Sequence, residues 1–237
     1  MRGPRVRAQR VLFRATAGKG ECRPRECQQA ARAASYPPML HVRSGYPGRA
    51  SLVLGTVLVL GADVVPLAGR FSTHMVQHLL LGDVGPLLIV LGLTGSVRLA
   101  HPFAAWPFWA AVLVGWHLTP LYDAALDHIW LHQIEHVCFF AAGFLLWASI
   151  LLEGPSWFTA ARRLPYVLAM WLLSLALSQV FIWSDHSYYS RYSLSDQRAG
   201  GGVMLIEGSF VMLGVVVWLM LRVLAESEAR QRALEGR

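Results

Sequence analysis

Apolar residues in this chain gather into six long runs, at 51–68, 73–94, 105–122, 131–152, 165–184 and 201–222. Each is close to the ~20 residues that carry a helix across a hydrocarbon core ~30 Å thick. The breaks between them carry turn chemistry: Gly69-Arg70, Thr94-Gly95-Ser96, Glu153-Gly154-Pro155 and the polar stretch from Ser184 to Gly200. The first run is the weakest, because Gly55, Gly61, Asp63 and Pro66 interrupt it. The pattern predicts an all-α integral membrane protein, a bundle of about six transmembrane helices. It divides the chain into an Arg-rich tail over 1–49, a membrane domain over 50–224 and a charged C-terminal tail over 225–237.

Basic residues set the orientation. With the N-terminus in the cytoplasm, the inner segments contain the tail, Arg98, Arg162, Arg163, Arg222 and the C-terminal arginines. The outer segments hold only Arg70, Arg191 and Arg198. Both termini are then predicted to be cytoplasmic, with outer connections joining spans one to two, three to four and five to six. The expected location is a bacterial inner (plasma) membrane.

Composition supports a membrane class and narrows the rest. The chain is 55% hydrophobic and 15% charged, too few charges to cover a soluble domain of 237 residues. The net charge of +7 is concentrated in the tail, which reads as a cytoplasmic flank beside a first span rather than a nucleic-acid-binding arm. The tail lacks the apolar core of a secretory signal, so the first membrane helix must direct insertion. Met39 lies just before the membrane character begins, which makes a start there an alternative to Met1. Cys22, Cys27 and Cys138 have neither disulfide-framework nor zinc-type spacing.

The candidate chemistry lies in the histidines. On this topology seven of nine share the outer layer: His74, His78, His117, His128, His132, His136 and His186, with His41 and His101 inside. His74 and His78 are four residues apart, as are His132 and His136. On a helix that spacing leaves roughly 5–6 Å between Cβ atoms on one face, suited to two ligands of one metal ion. Two such pairs opening adjacent spans make a stronger signal than one. The plain alternative is a set of headgroup-layer histidines bonded to lipid or water. His117 lies in an apolar helix, where an unpartnered polar group is costly. His128 and His186 are the weakest members.

Acids at similar depth are Asp63, Asp123, Asp127 and Asp196, and Glu135 stands beside His136. Such carboxylates bind metal directly or orient histidine ligands. Asp83 and Glu207 lie deeper, where an ionisable group faces the bundle interior. Met75 and Met204 bring thioethers toward the same layer. Sulfur with imidazole suits Cu(I), and imidazole clusters favour Cu(II) among divalent ions.

Four segments in this order resemble the CtaG-type cytochrome c oxidase assembly factors of the multi-span membrane kind. They are Ser72-Thr73-His74-Met75-Val76-Gln77-His78-Leu79-Leu80 with Pro86 after it; Trp116-His117 with Tyr122-Asp123; His132, Glu135, His136, Phe139, Gly143 and Trp147; and Asp196-Gln197 with Ala199-Gly200 and Met204. The resemblance covers about residues 45–222. It implies a non-enzymatic role in maturing a haem–copper terminal oxidase, by binding or delivering copper at the extracytoplasmic face. The implied ligands are His74, His78, His117, His132 and His136, supported by Met75 and Met204. Asp63, Asp123, Glu135, Asp196, Asp83 and Glu207 are further candidates. The implied partners are membrane lipids and oxidase subunits or another copper chaperone, without nucleic acid.

Two alternatives use the same residues. A membrane di-iron oxygenase also carries HxxxH boxes, but adds an adjacent His-His pair and places its histidines on the cytoplasmic side. A bis-histidine haem protein needs imidazoles from facing helices, for which His78 and His136 are the candidates.

Overall fold

The structure is a computed structural model that describes residues 46–65, 69–93, 101–152 and 155–235. Residues 1–45 of the Arg-rich tail with its two cysteines, the start at Met39 and His41, and also Arg98, Pro66, Thr94-Gly95-Ser96 and Glu153-Gly154, lie outside the described residues. Among the described residues every regular element is a helix.

In chain order these are α1 (Tyr46–Val64), α2 (Phe71–Leu79), a π-helical turn (Leu80–Val84), α3 (Gly85–Gly92), α4 (Pro102–Trp116), α5 (Thr119–Asp127), α6 (Ile129–Leu151), α7 (Ala160–Trp183) and α8 (Leu194–Glu235). Four helical stretches are long and apolar enough to cross a membrane: Phe71–Gly92, Ile129–Leu151, Ala160–Trp183 and Leu194–Glu235. They match the second, fourth, fifth and sixth predicted spans.

The third predicted span, 105–122, differs. Its helix stops at Trp116, His117 and Leu118 form the break, and α5 starts at Thr119. Pro120 explains the stop, because a helix running through it would lose a donor and crowd the carbonyl of Trp116. The sixth span extends past its predicted end. At 42 residues α8 is about 63 Å long, well beyond the ~30 Å core. Residues 42–225 form one compact unit. The turns from Glu226 onward belong to another, where Glu228–Arg232 (2.8 Å) and Glu226–Arg230 (3.9 Å) are i,i+4 pairs.

Proline also shapes α2. Pro86 cannot donate to Gly82 four residues back, and the preceding turn widens so that Gly85 N–H bonds to Leu80 five residues back. Here α6 comes very close: a Cβ on Gly143 would lie 1.8 Å from the Gly82 carbonyl oxygen. Small residues let membrane helices approach in this way, since lipid supplies no hydrophobic drive for their association.

The N-terminus of α2 is capped from elsewhere in the chain. Asp196, at the start of α8, accepts from Phe71 N–H (2.6 Å), Ser72 N–H (3.3 Å) and the Ser72 hydroxyl (2.6 Å). A carboxylate there meets orphan donors and the positive end of the helix dipole. Phe71, Tyr122, Phe181, Tyr189 and Tyr192 form an aromatic cluster around this cap. The result fixes where the first turn of α2 presents its histidines.

Candidate metal centre

His74 and His78 stand one turn apart on α2, with ring centroids 4.3 Å apart. His132 and His136 repeat this on α6, at 4.1 Å. The two helices face each other, so that His74 Nε2 lies 3.1 Å from His132 Nε2. His117 enters from the end of α4, its ring 6.0 Å from that of His78. Glu135 completes the group, with Oε1 3.4 Å from His78 Nε2. That is ion-pair distance without hydrogen-bond geometry, and both Glu135 oxygens remain unpartnered. The five histidines singled out by sequence thus come together. All are buried except the partly exposed His132.

The Nδ1 atoms decide what the Nε2 atoms can do. His117 Nδ1 is 2.6 Å from the Leu113 carbonyl, which can only accept, so Nδ1 carries the proton and Nε2 the lone pair. His136 Nδ1 is 2.8 Å from Asp63 Oδ1, and the same logic leaves its Nε2 a lone pair with no partner. His74 Nδ1 is 2.6 Å from the Tyr122 hydroxyl, which accepts or donates according to the tautomer. These outer bonds orient the imidazoles as carboxylate and carbonyl partners orient metal-bound histidines elsewhere.

The centre is rich in acceptors and poor in donors. Both His78 nitrogens, His136 Nε2 and both Glu135 oxygens are buried without hydrogen-bond partners. Each such group costs about 1–3 kcal/mol if nothing meets it. A cation would supply what they lack. Two sets of ligand atoms lie mutually within 4.8 Å: His74, His132 and His136; and His74, His78 and Glu135. Imidazole and carboxylate at this spacing fit a first-row transition ion.

The other candidates fall elsewhere. Asp196 is engaged as the cap of α2, the helix that carries His74 and His78. Asp123 has a buried, unpartnered Oδ1, but lies outside both ligand sets. Asp83 accepts from the Trp147 indole N–H at 3.0 Å, in the π turn below the centre. Glu207 has two unpartnered oxygens in α8. His128 is exposed at the N-cap of α6. His186 is 65% exposed and pairs with Asp185 at 2.6 Å, holding that carboxyl below its usual range. These last two histidines are not part of the centre.

Three supporting residues received no role from the sequence, although Gln77 and Tyr122 stand in segments that carry the family resemblance. Gln77 donates from Nε2 to the Ala62 carbonyl (2.7 Å), fastening the end of α1 and with it neighbouring Asp63. Tyr122 holds His74, and the Tyr189 hydroxyl donates to the His117 carbonyl at 2.7 Å. Burial pushes the Tyr189 hydroxyl well above its ordinary range, so it stays a donor. The available signal was the polar glutamine set between two histidines. Tyr122 stood beside Asp123 in a segment of the family resemblance, and Tyr189 gave no signal beyond its amphipathic type.

The class of protein is therefore a bundle of membrane-length helices around a buried histidine–carboxylate centre. The family model of the cytochrome c oxidase caa3 assembly factor matches residues 94–226, and the chain belongs to that family. The matched region holds His117, His132, Glu135, His136 and Met204, while His74, His78 and Asp63 precede it. An uncharacterized protein of Mycobacterium bovis and one of Mycobacterium tuberculosis are each 25% identical, the match covering 65% of this chain and 30% of theirs. An uncharacterized protein of Mycobacterium leprae is 24% identical over the same shares. The chain thus spans under a third of the length of these relatives. No solved structure matches it.

Proposed function

We propose that this assembly factor binds copper as cargo at the extracytoplasmic face of a bacterial plasma membrane and presents it to a haem–copper oxidase subunit. The chain would cross the membrane six times with both termini inside, α1 and α4 completing the four long spans. His74, His78, His132 and His136 would be the principal ligands, with Glu135 among them.

The observation that carries this reading is the acceptor-rich centre itself. Lone pairs from α2 and α6 converge with a carboxylate, and five buried polar atoms there have no hydrogen-bond partner among the described residues. Such a centre acts by holding a cation and giving it up, and needs no reaction of its own. The haem alternative is less well supported. The cavity beside His78 and His117 has a volume of about 50 Å³, against the ~300 Å³ at which pockets for small organic ligands begin. The di-iron alternative lacks the further His-His box.

The test is Cu(II) titration of the purified protein, with His74→Ala/His78→Ala and His132→Ala/His136→Ala variants. Each pair is expected to lower affinity at least 100-fold, and a deletion strain is expected to lose oxidase activity and oxidase-bound copper. Unchanged affinity and stoichiometry in both variants would overturn the ligand assignment. A Soret band in the purified protein would favour haem instead.

A further inference from the structure

A cavity lies beside the centre, between the π turn, α4, α6 and α8. Its walls include Met75, His78, Asp83, His117, Phe139 and Met204. Met75 is one residue from His74, so the helix turns its thioether about 100° away from the face that carries the His74–His132 contact. There it meets His117 Nε2, at 3.4 Å from Sδ. That nitrogen carries a lone pair, because Nδ1 is committed to the Leu113 carbonyl. Two acceptors therefore face each other without a proton between them. Met204 comes in from α8 in the same buried cluster as Met75. His78, 4% exposed with neither ring nitrogen partnered, lines the same space.

We propose that Met75, Met204 and His117 form a second metal site, specific for Cu(I), separate from the imidazole–carboxylate set on α2 and α6. The donor chemistry makes the division. Glu135 and four imidazoles are borderline-to-hard ligands that suit Cu(II), whereas two thioethers and one imidazole are soft and neutral and suit a monovalent ion. Neutral donors add no charge to a buried site, so a single positive charge is the least costly ion to place there. His78 lies between the sets, approaching Glu135 on one side and lining the cavity on the other. This assignment rests on the reading that the chain handles copper.

The test uses the full-length protein in detergent, loaded anaerobically with Cu(I) in competition with a chromogenic Cu(I) chelator, and in parallel with Cu(II). X-ray absorption at the copper edge reports the ligand atoms. A Met75→Leu/Met204→Leu variant removes both sulfurs at nearly constant volume, a change cores tolerate well. The wild type is expected to show sulfur scattering with Cu(I). The variant should lose that scattering and weaken Cu(I) binding at least tenfold, with Cu(II) affinity within twofold of wild type. Only nitrogen and oxygen scattering in the Cu(I)-loaded wild type, or unchanged Cu(I) affinity in the variant, would overturn the second site while leaving the histidine centre in place. A wild type that binds neither oxidation state would overturn the proposed function and this site with it.

Discussion

At the far end of α6, Arg163 reaches back from α7 and donates to the carbonyls of Ile150, Phe158 (3.2 Å) and Leu152 (3.3 Å). Ser149 donates to Leu146 at 2.7 Å, and the Tyr166 hydroxyl donates to the Pro102 carbonyl at 3.1 Å. Donors there meet acceptors, and the guanidinium faces the negative end of the α6 dipole. At the other end of the same helix, acceptors of His78, Glu135 and His136 outnumber the donors, and five buried atoms have no hydrogen-bond partner among the described residues. Both ends bury polar groups. One end spends its polarity on holding helices together; the other leaves it unpartnered among the described residues.

This contrast predicts opposite responses to mutation. The largest effect should be at the Arg163 corner, where Arg163→Met strips three carbonyls of a charged donor. We expect a loss on the order of 3 kcal/mol, or a melting temperature lower by roughly 10 °C for a chain of this size. Copper affinity should be nearly unchanged in the protein that remains folded. Thermal unfolding in detergent with Cu(II) titration checks both. A collapse of copper binding at full stability would mean that the two ends are coupled.

At the histidine centre the sign should reverse. Glu135→Gln removes a carboxylate with no partner and introduces an amide donor beside His78. The metal-free variant should be more stable than wild type by about 1 kcal/mol, raising melting by roughly 2–4 °C. Copper-bound wild type at 100 times its dissociation constant should gain about 2.7 kcal/mol, and the variant most of an order of magnitude less affinity than wild type. If Glu135→Gln destabilises the metal-free protein, the carboxylate belongs to a structural ion pair with His78 and the contrast is lost.

The sequence carried the broad layout because membrane physics is written in composition. Four runs of apolar residues became helices of spanning length, and pairs of histidines four residues apart met across α2 and α6. What it concealed depends on partners far along the chain. Asp196 reads as one more acid near the layer, yet α2 needs a cap and takes it from a residue more than 120 positions away. Arg163 reads as a basic loop residue marking the inner side, yet its charge ends buried on three carbonyls. The π turn and the break at Trp116 were legible in principle at Pro86 and Pro120, since each proline disturbs the carbonyl four residues before it. Glu135 stood in the sequence as one of six candidate acids, beside His136. Its central place depends on the approach of α2, which no local pattern states.

A smaller effect should follow at the edge of the centre. Asp63 is 40% exposed and touches His136 only through Nδ1. Asp63→Asn keeps an acceptor there but withdraws the charge that strengthens the imidazole as a donor to metal. The expected result is a Cu(II) affinity about tenfold weaker, the low end for changes to residues that orient metal-bound histidines. Stability should barely move, because an exposed charge pair contributes little. Titration of the variant beside Asp63→Ala separates orientation from charge: Ala should lose more than Asn if the hydrogen bond matters as well.

The smallest effect should come from His128 and His186, which share the layer in sequence but not in space. His128 is exposed at the N-cap of α6, and His186 bonds to Asp185 next to it. Replacing both with alanine removes two of the nine histidines yet touches no atom of the centre. Copper stoichiometry should stay the same, affinity should change less than twofold, and stability should stay within about 0.5 kcal/mol, as for surface substitutions generally. A loss of binding as large as that for His132→Ala/His136→Ala would show that copper is held by a diffuse imidazole-rich surface. In that case the buried, unpartnered nitrogens and oxygens would not be what selects the ion.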